Sequence, residues 1–288
     1  MSLRVILARL NGTPADEQVL RGSLTISKLC RGHVIALFSR PDPRSATVIL
    51  DDGISTTDYR DAFADLERDW HQAAAIAFRS FQQWRMSNNI PFIQDSHWDE
   101  GPTAEWQMPD IFAAEAVNIT EFGRVADILV SSIPAHPEDE GLETALFSTG
   151  RPVFLVPEHA DPSMANGRVL IAWNGSVEAS HAVAAALPLL TRAEDVIVLT
   201  IPGRGVEPRL AGRLVTYLRW HGVQASVLRP GSGGANSMSG ALFEAIEKTK
   251  ANLLIMGAYT HSRMRERFFG GVTKHVLNKV EIPVLMAH

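Results

Sequence analysis

The apolar residues of the chain fall into short, nearly continuous runs that alternate with longer segments of helical periodicity. The runs recur in the same order in both halves of the chain: 4–10, 33–39, 126–134 and 151–157, then 168–173, 196–202, 251–259 and 282–288. Strands that are apolar on both faces are typical of a parallel sheet covered by helices on each side. The pattern therefore predicts an α/β fold, with amphipathic helices over 16–30 and 177–190.

This repetition indicates a duplicated domain. Asn11-Gly12 follows the first run and Asn174-Gly175 follows its counterpart, and the period of about half the chain is too long for a solenoid. The joint falls in the Pro-, Asn- and Gly-rich stretch 157–167, so we predict domains over 1–158 and 166–288. We expect each domain to be an open, doubly wound, Rossmann-like parallel sheet of five strands and four helices, in strand order 3-2-1-4-5.

The halves differ most in the helix that follows the second strand. The first half has a long helical segment over 59–88, which carries several aromatic residues, whereas its counterpart over 208–222 is much shorter. We therefore expect the two domains to share a sheet topology but to differ in what covers the sheet.

Composition and charge narrow the classes of partner. The chain has 288 residues, 45% hydrophobic and 20% charged, with a net charge of -5 and a single cysteine, Cys30. This balance gives no reason to expect a nucleic-acid partner, and no stretch approaches the ~20 apolar residues of a membrane span. The N-terminal segment enters a strand without an apolar signal core, so we expect a cytoplasmic protein. Cys30 has no intrachain partner for a disulfide, and we expect an inert, buried thiol.

Glycines bracket a short basic segment near the end of the chain. Gly257 ends a predicted strand, and Gly270-Gly271 open a predicted helix that contains Thr273. If the strand order reverses between the first and fourth strands of this half, Gly257 lies near Asn174 at the carboxyl edge of the sheet. Amide groups at the start of a helix bind anions, and His261 or Arg263 could add contacts to phosphate. This arrangement suits a nucleoside diphosphate or triphosphate.

A simpler interpretation explains the same residues. Gly270-Gly271 could merely allow close helix packing, and the arginines between the glycines could form a solvated face. The residues alone leave the two interpretations open.

The spacing resembles that of the universal stress protein family. Its nucleotide-binding members carry a Gly, two residues, a second Gly, nine residues, a third Gly and then Ser or Thr; Gly257 and Gly270 match the first and third positions. The segment RVLIAWNGSVEASHAVAAALPLL also resembles the family's first strand and helix. The resemblance extends over both halves, so the chain is similar to a tandem member with an adenine nucleotide alpha hydrolase-like fold.

The resemblance implies a site for ATP or another adenine nucleotide, with Mg²⁺ as its counter-ion. It implies no catalytic residue and no protein-held metal. The implied binding residues belong to the second half: Ala172, Asn174, Gly257, Thr260, His261, Arg263, Gly270, Gly271, Val272 and Thr273.

Three of these positions depart from the family pattern. Thr260 replaces the second glycine, Gly271 replaces the hydroxyl residue, and Asn174 replaces the aspartate near the adenosine. Asparagine cannot accept from two ribose hydroxyls as a carboxylate does, and a β-branched residue resists positive φ. At about 1 kcal/mol per neutral hydrogen bond, these changes weaken binding by a few kcal/mol.

The first half has acidic residues where the phosphate-binding amides should lie. Glu138-Asp139-Glu140 precede a predicted helix, and carboxylates at a helix N-terminus interact favourably with its dipole while repelling phosphate. We therefore expect the first half not to bind nucleotide.

Two further motifs have simpler explanations. Asp95, His97 and Asp99 alternate after what we predict to be the third strand of the first half, a pattern that could bind a metal ion but is more typical of a polar loop. The segment SGGANS, 232–237, resembles the phosphate loop of ATP pyrophosphatases but follows the third strand rather than the first. We predict a loop there, with Ser237 or Ser239 as the N-cap of the following helix.

Three functions follow as alternatives. The first is a nucleotide-binding sensor or regulator in the stress response, hydrolysing ATP slowly at most. The second is a tandem scaffold that has lost nucleotide binding and acts through proteins or another small ligand. The third, a nucleotide-dependent hydrolase or transferase, has the least support because no general base is placed beside a nucleophile.

The last strand of each half bears on self-association. The segments 151–157 and 282–288 are apolar edges that could pair within one chain to give an intrachain pseudo-dimer. Association of two chains into a homodimer stays open.

Overall fold

Ten strands form a single sheet at the centre of the molecule. The computed structural model of the chain describes residues 2–40, 56–93, 101–109, 114–133, 139–162, 167–200, 209–229, 238–258 and 271–288. The strands of the first half are β1 Val5–Leu10, β2 His33–Phe38, β3 Thr103–Gln107, β4 Ile128–Ser132 and β5 Val153–Val156. Those of the second half are β6 Arg168–Trp173, β7 Asp195–Thr200, β8 Ala225–Leu228, β9 Leu253–Gly257 and β10 Val284–Ala287.

Eight helices in the described ranges cover the sheet. They are α1 Asp16–Cys30, α2 Thr56–Ser87, α3 Glu115–Arg124, α4 Glu140–Ser148, α5 Val177–Leu190, α6 Arg209–Trp220, α7 Met238–Thr249 and α8 Gly271–Lys279. The predicted bounds of α1 and α5 are confirmed, as is the contrast between the long α2 and the short α6. None of the helices in these ranges is both long and apolar enough to cross a membrane.

The strand order confirms the predicted topology. The sheet runs β3-β2-β1-β4-β5-β10-β9-β6-β7-β8, which is the order 3-2-1-4-5 in each half. Within each half every strand pair is parallel. The halves meet through β5 and β10, which pair antiparallel with Leu285 opposite Phe154.

Each face of the sheet packs against its own helix layer. Residues of α1, α2, α5 and α6 share one buried cluster with one face of the strands, and residues of α3, α4, α7 and α8 share another with the opposite face. Because the strands alternate between the two layers, Leu7 and Leu170 face the second layer, whereas Ile6 and Val169 face the first. Positions 9 and 172 lie on the second-layer side by the same alternation.

The third strand of the first half lies later in the chain than we predicted. The apolar segment around Phe92 makes only an isolated bridge to Ala104, and the strand itself is Thr103–Gln107. This strand is partly exposed and carries polar residues, so its apolar signal is weaker than that of the segment before it. Of the two N-caps predicted for α7, Ser239 is ruled out because the helix begins at Met238, and Ser237, which directly precedes the helix in sequence, lies outside the described residues.

Cys30 lies at the C-terminal end of α1 and is half-buried. Burial raises the pKa of its thiol, so less of it is ionised at neutral pH. Since the thiolate is the reactive form, the environment agrees with the expected inert thiol.

Candidate functional site

The predicted site lies at the carboxyl edge of the sheet, where β6 and β9 pair in parallel and both end. Six of the ten predicted residues fall in the described ranges: Ala172, Asn174, Gly257, Gly271, Val272 and Thr273. The other four lie outside the described residues: Thr260, His261, Arg263 and Gly270. Ala172 pairs with Met256 in the β6–β9 ladder, Asn174 follows β6, Gly257 ends β9, and the other three open α8.

Asn174 holds the turn between β6 and α5. Its Oδ1 accepts a hydrogen bond from the amide of Ser176 at 3.1 Å, and Gly175 has a φ of 75°. The turn after β1 is built alike, because Asn11 Oδ1 accepts from the amide of Thr13 at 3.2 Å. The side-chain oxygen of Asn174 therefore already accepts one hydrogen bond in a structural turn, and its NH₂ group can donate to a ligand.

Gly257 is required by packing. A Cβ atom at this position would lie 2.5 Å from the backbone nitrogen of Ala179 and 2.8 Å from the carbonyl carbon of Glu178. Both atoms belong to the first turn of α5, so the end of β9 lies directly against the start of that helix. Gly257 is not among the residues with positive φ, so close approach and not a left-handed turn explains the glycine.

We expect Gly257→Ala to lower the free energy of unfolding by about 3 kcal/mol or more, because the added carbon meets backbone atoms that cannot rotate away. Chemical denaturation of the variant measures this change directly.

Gly212→Ala is the matched control for Gly257→Ala. A Cβ atom at Gly212 meets no atom within 4 Å, and the residue lies inside α6. We expect this change to stabilise the protein by up to about 1 kcal/mol, since alanine is the better helix former. Equal stability of the two variants would show that β9 does not need the glycine.

The first turn of α8 supplies the amides of the predicted phosphate site. Gly271, Val272 and Thr273 are its first three residues, and the Thr273 side chain is 4% exposed within the second layer. Amides at the start of a helix have no intrahelical acceptor. These backbone groups, more than the buried Thr273 hydroxyl, are suited to bind an anion.

The corresponding place in the first half is filled by a buried ionic cluster that the sequence analysis missed. Arg9 Nη2 donates to Glu115 Oε1 at 2.8 Å, and Arg9 Nη1 lies 3.1 Å from Asp139 Oδ1. Ser39 Oγ donates to the same Glu115 oxygen at 2.8 Å. Burial opposes the positive charge, but the two carboxylates outweigh it and hold the pKa of Arg9 above its usual value. We call Arg9, Glu115 and Asp139 the Arg9 cluster.

Asp139 also caps the helix that corresponds to α8. Its Oδ1 accepts from the amide of Leu142 at 2.7 Å, so the carboxylate occupies the N-terminus of α4. A side chain on Gly141 would overlap the guanidinium of Arg9, so this glycine makes room for the cluster. The expectation that acidic residues occupy this helix N-terminus is confirmed for Asp139 and Glu140; Glu138 lies outside the described residues.

The second half has small residues at all three positions of the Arg9 cluster. Ala172 corresponds to Arg9, because each lies two residues before the Asn-Gly turn. Gly270 directly precedes α8 as Asp139 directly precedes α4. Gly240 lies as far before β9 as Glu115 lies before β4. Alanine and glycine have no side-chain oxygen. These three positions therefore supply no carboxylate that could cap the N-terminus of α8 or offset its positive dipole.

A second carboxylate is buried in the turn after β1. Asp16 is 2% exposed, and its two oxygens accept from the amides of Asn11 and Gly12 at 2.9 Å each. Burial raises the pKa of Asp16 to about 6, although these hydrogen bonds lower it in part. The turn of the first half is thereby closed by its own side chain.

This raised pKa predicts an unusual pH dependence. Between pH 4 and 6 the folded protein binds a proton at Asp16 that the unfolded chain has released, so this contribution to stability is lost as pH rises through about 6. We expect the free energy of unfolding of the wild type, relative to Asp16→Asn, to increase by up to about 3 kcal/mol as pH falls from 7 to 4. Denaturation curves of both proteins at each pH measure the difference. A difference that stays constant with pH would contradict the buried, partly protonated carboxyl.

No group of three or more potential metal-ligating side chains exists within the described ranges. Asp95, His97 and Asp99 lie outside the described residues.

Comparison with known proteins relates these features to a family. The model of the Universal stress protein family matches residues 235–288, which include α7, β9, α8 and β10. No curated protein matches the chain.

Solved structures share the architecture of the whole chain. A universal stress protein from Archaeoglobus fulgidus superposes with a TM-score of 0.68 at 15% identity, covering 100% of this chain and 99% of that one. A protein of unknown function from Pseudomonas aeruginosa superposes with a TM-score of 0.53 at 15% identity, covering 98% and 92%. At such low identity these likenesses concern the fold. The predicted resemblance is therefore confirmed: the C-terminal segment matches the universal stress protein family, and the chain from end to end has the fold of a universal stress protein.

Proposed function

We propose that the second half binds an adenine nucleotide, with ATP as the first candidate, and that the chain acts in the stress response as a sensor or regulator. The nucleotide would lie at the carboxyl ends of β6 and β9, with its phosphates at the N-terminus of α8. Mg²⁺ would accompany the phosphates as their counter-ion. The protein would act in the cytoplasm, with its halves joined as an intrachain pseudo-dimer.

One observation carries this proposal: small residues stand at the three positions of the second half that correspond to the Arg9 cluster. Arg9, Glu115 and Asp139 fill the first-half site, whereas Ala172, Gly240 and Gly270 carry at most one side-chain carbon each. Glycine before α8 provides no capping oxygen, so its first amides are available to an external anion. The same comparison gives a stoichiometry of one nucleotide per chain, because an anion entering the first half would have to displace Asp139.

The test is denaturing release of small molecules from freshly purified protein, followed by mass spectrometry. We expect ATP, ADP or AMP at up to one molecule per chain. Nucleotide-free protein is then titrated with ATP in a calorimeter, with GTP as the comparison for base recognition. Absence of any released nucleotide together with no heat of ATP binding would refute the proposal.

The second candidate is a tandem scaffold that does not bind nucleotide. Two observations favour it: Gly257 is explained by packing against α5, and the Asn174 oxygen is engaged in a turn that recurs in the first half. In that case titration with ATP gives no heat of binding, and ATP does not change the free energy of unfolding.

A further inference from the structure

A cavity of about 240 Å³ lies between the two halves. Its lining residue Ala287 pairs with Gly257, so the cavity adjoins the proposed nucleotide site at the end of β9. Its apolar lining includes Leu3 and Pro152 from the first half and Ala184 and Ala185 of α5 from the second. Two charged residues of the first half, Asp127 and Arg151, also line it. The cavity is smaller than the ~300–1,000 Å³ of sites for drug-sized ligands. A water molecule takes about 30 Å³, so a ligand of roughly eight to ten non-hydrogen atoms fits.

The negative charge of Asp127 exceeds what the fold needs. Its Oδ2 accepts from the amides of Arg4 and Val5 at 2.7 and 2.9 Å, which ties the start of β4 to the start of β1. In the second half the equivalent residue is Asn252, whose Oδ1 accepts from the amide of Arg168 at 2.9 Å. A neutral amide therefore serves this structural turn. The charged residue, Asp127, lines the cavity, whereas its neutral equivalent, Asn252, does not.

The positive charge of Arg151 is likewise specific to this side. Arg151 precedes Pro152 as Ile282 precedes Pro283 in the second half, so an apolar residue satisfies the same position there. The guanidinium donates from Nη2 to the carbonyl of Arg124 at 2.7 Å, which leaves its charge uncompensated by that bond. Among the ion pairs of the described residues, none joins Arg151 to Asp127. Opposite charges thus line one small cavity without a direct ion pair between them.

Ser2 of the first half and two histidines of the second half also belong to the polar lining. His181 Nδ1 lies 3.2 Å from the carbonyl oxygen of His288, and His288 Nδ1 lies 3.1 Å from the carbonyl oxygen of Ala258. Because a backbone oxygen can only accept, each Nδ1 carries a hydrogen, and Nε2 can accept a hydrogen bond whenever the ring is neutral. Asp127 and these rings are acceptors for a cationic group, whereas Arg151 is a donor to an anionic one.

From this lining we propose that the cavity between the halves, which we call the seam cavity, binds a small zwitterion with a short apolar body, of the class of free α-amino acids. The carboxylate of the ligand would pair with Arg151 and its ammonium group with Asp127. Its side chain would pack on Ala184, Ala185 and Pro152. Since the site takes residues from both halves, the ligand would bridge them.

The test is calorimetric titration of the full chain with aliphatic α-amino acids. Each amino acid is compared with the carboxylic acid that lacks its amine and with the amine that lacks its carboxylate. We expect at least one amino acid to bind with a Kd below about 1 mM, and both truncated analogues to bind at least tenfold more weakly, since each leaves one charge of the cavity unpaired.

Variants locate the binding in the seam cavity. Asp127→Asn keeps the hydrogen-bond acceptor that Asn252 provides in the second half, and Arg151→Gln removes the other charge. We expect each to weaken amino-acid binding at least tenfold, and Ala184→Leu, which fills the cavity, to abolish it.

The controls are Arg21→Gln, which breaks an exposed ion pair with Asp161, and Ala116→Leu on the exposed surface of α3; both should bind as the wild type does.

Three outcomes would overturn the proposal. One is that no amino acid binds with a Kd below about 1 mM. Another is that a truncated analogue binds as tightly as the complete amino acid. The third is that binding survives Ala184→Leu with unchanged affinity. Binding of ATP does not enter this test, so its result is independent of the proposed nucleotide site.

Discussion

Arg9→Met should lower the free energy of unfolding by about 3–5 kcal/mol. The substitution leaves Glu115, whose side chain is 8% exposed, and the partly buried Asp139 without a cation. The free-energy cost of burying an unpaired carboxylate is far larger than the stabilisation that a methionine gains by packing in the same volume. Chemical denaturation at pH 7 measures the loss.

The effect of the unpaired charges can be separated from the effect of lost packing. Combining Arg9→Met with Glu115→Gln and Asp139→Asn removes the unpaired charges while keeping an oxygen at position 139 to cap α4, so most of the stability should return. Arg21→Met is the control for arginine removal, because its ion pair with Asp161 is exposed and should contribute less than about 1 kcal/mol. A loss at Arg9 that is as small as that at Arg21 would show that the Arg9 cluster is not a buried ion pair in solution.

Building the Arg9 cluster into the second half should weaken ATP binding by more than 100-fold. The required substitutions are Ala172→Arg, Gly240→Glu and Gly270→Asp, with Val272→Gly to leave the space that Gly141 gives the guanidinium. The new carboxylate would cap α8 and neutralise the site from within, as Asp139 does at α4. Loss of about 3 kcal/mol of phosphate interaction corresponds to this factor. Calorimetric titration with ATP measures it.

The controls for this exchange concern both fold and site. Unchanged cooperative unfolding would show that the four substitutions are accommodated, as the first half leads us to expect. Val272→Gly alone should retain ATP binding, because the backbone amides are kept. Undiminished ATP affinity of the fourfold variant would place the nucleotide elsewhere and contradict the proposed site.

The fold was predictable from sequence because a parallel strand that is buried on both faces must be apolar at nearly every position. Strands such as β6, with the sequence RVLIAW, are bounded by turns that the sequence marks with Asn-Gly. The prediction of β3 was wrong because this strand is not buried on both faces. It is partly exposed, so its sequence TAEWQ carries less apolar signal than the segment that precedes it.

The candidate site was predictable only where its residues are close in sequence. The glycines around α8 are such a local pattern, and the place of Gly257 at the end of β9, beside β6, follows from the topology. The Arg9 cluster joins residues 106 and 130 positions apart, and no local spacing links them. One signal was nevertheless present: an arginine inside the apolar run RVILARL, where the fold buries every neighbour, requires a buried counter-charge.

The antiparallel contact between β5 and β10 has a consequence for how the protein responds to dilution. Both strands belong to one polypeptide, so their association is unimolecular and does not follow mass action. The halves are held at the high effective concentration that a covalent connection gives, even when the protein is scarce. Among the described strands the two outermost are β3, whose residue Ala104 already bonds to the segment around Phe92, and β8. Any reversible assembly of whole chains by strand addition would therefore lengthen the sheet at its ends and leave the contact between the halves intact.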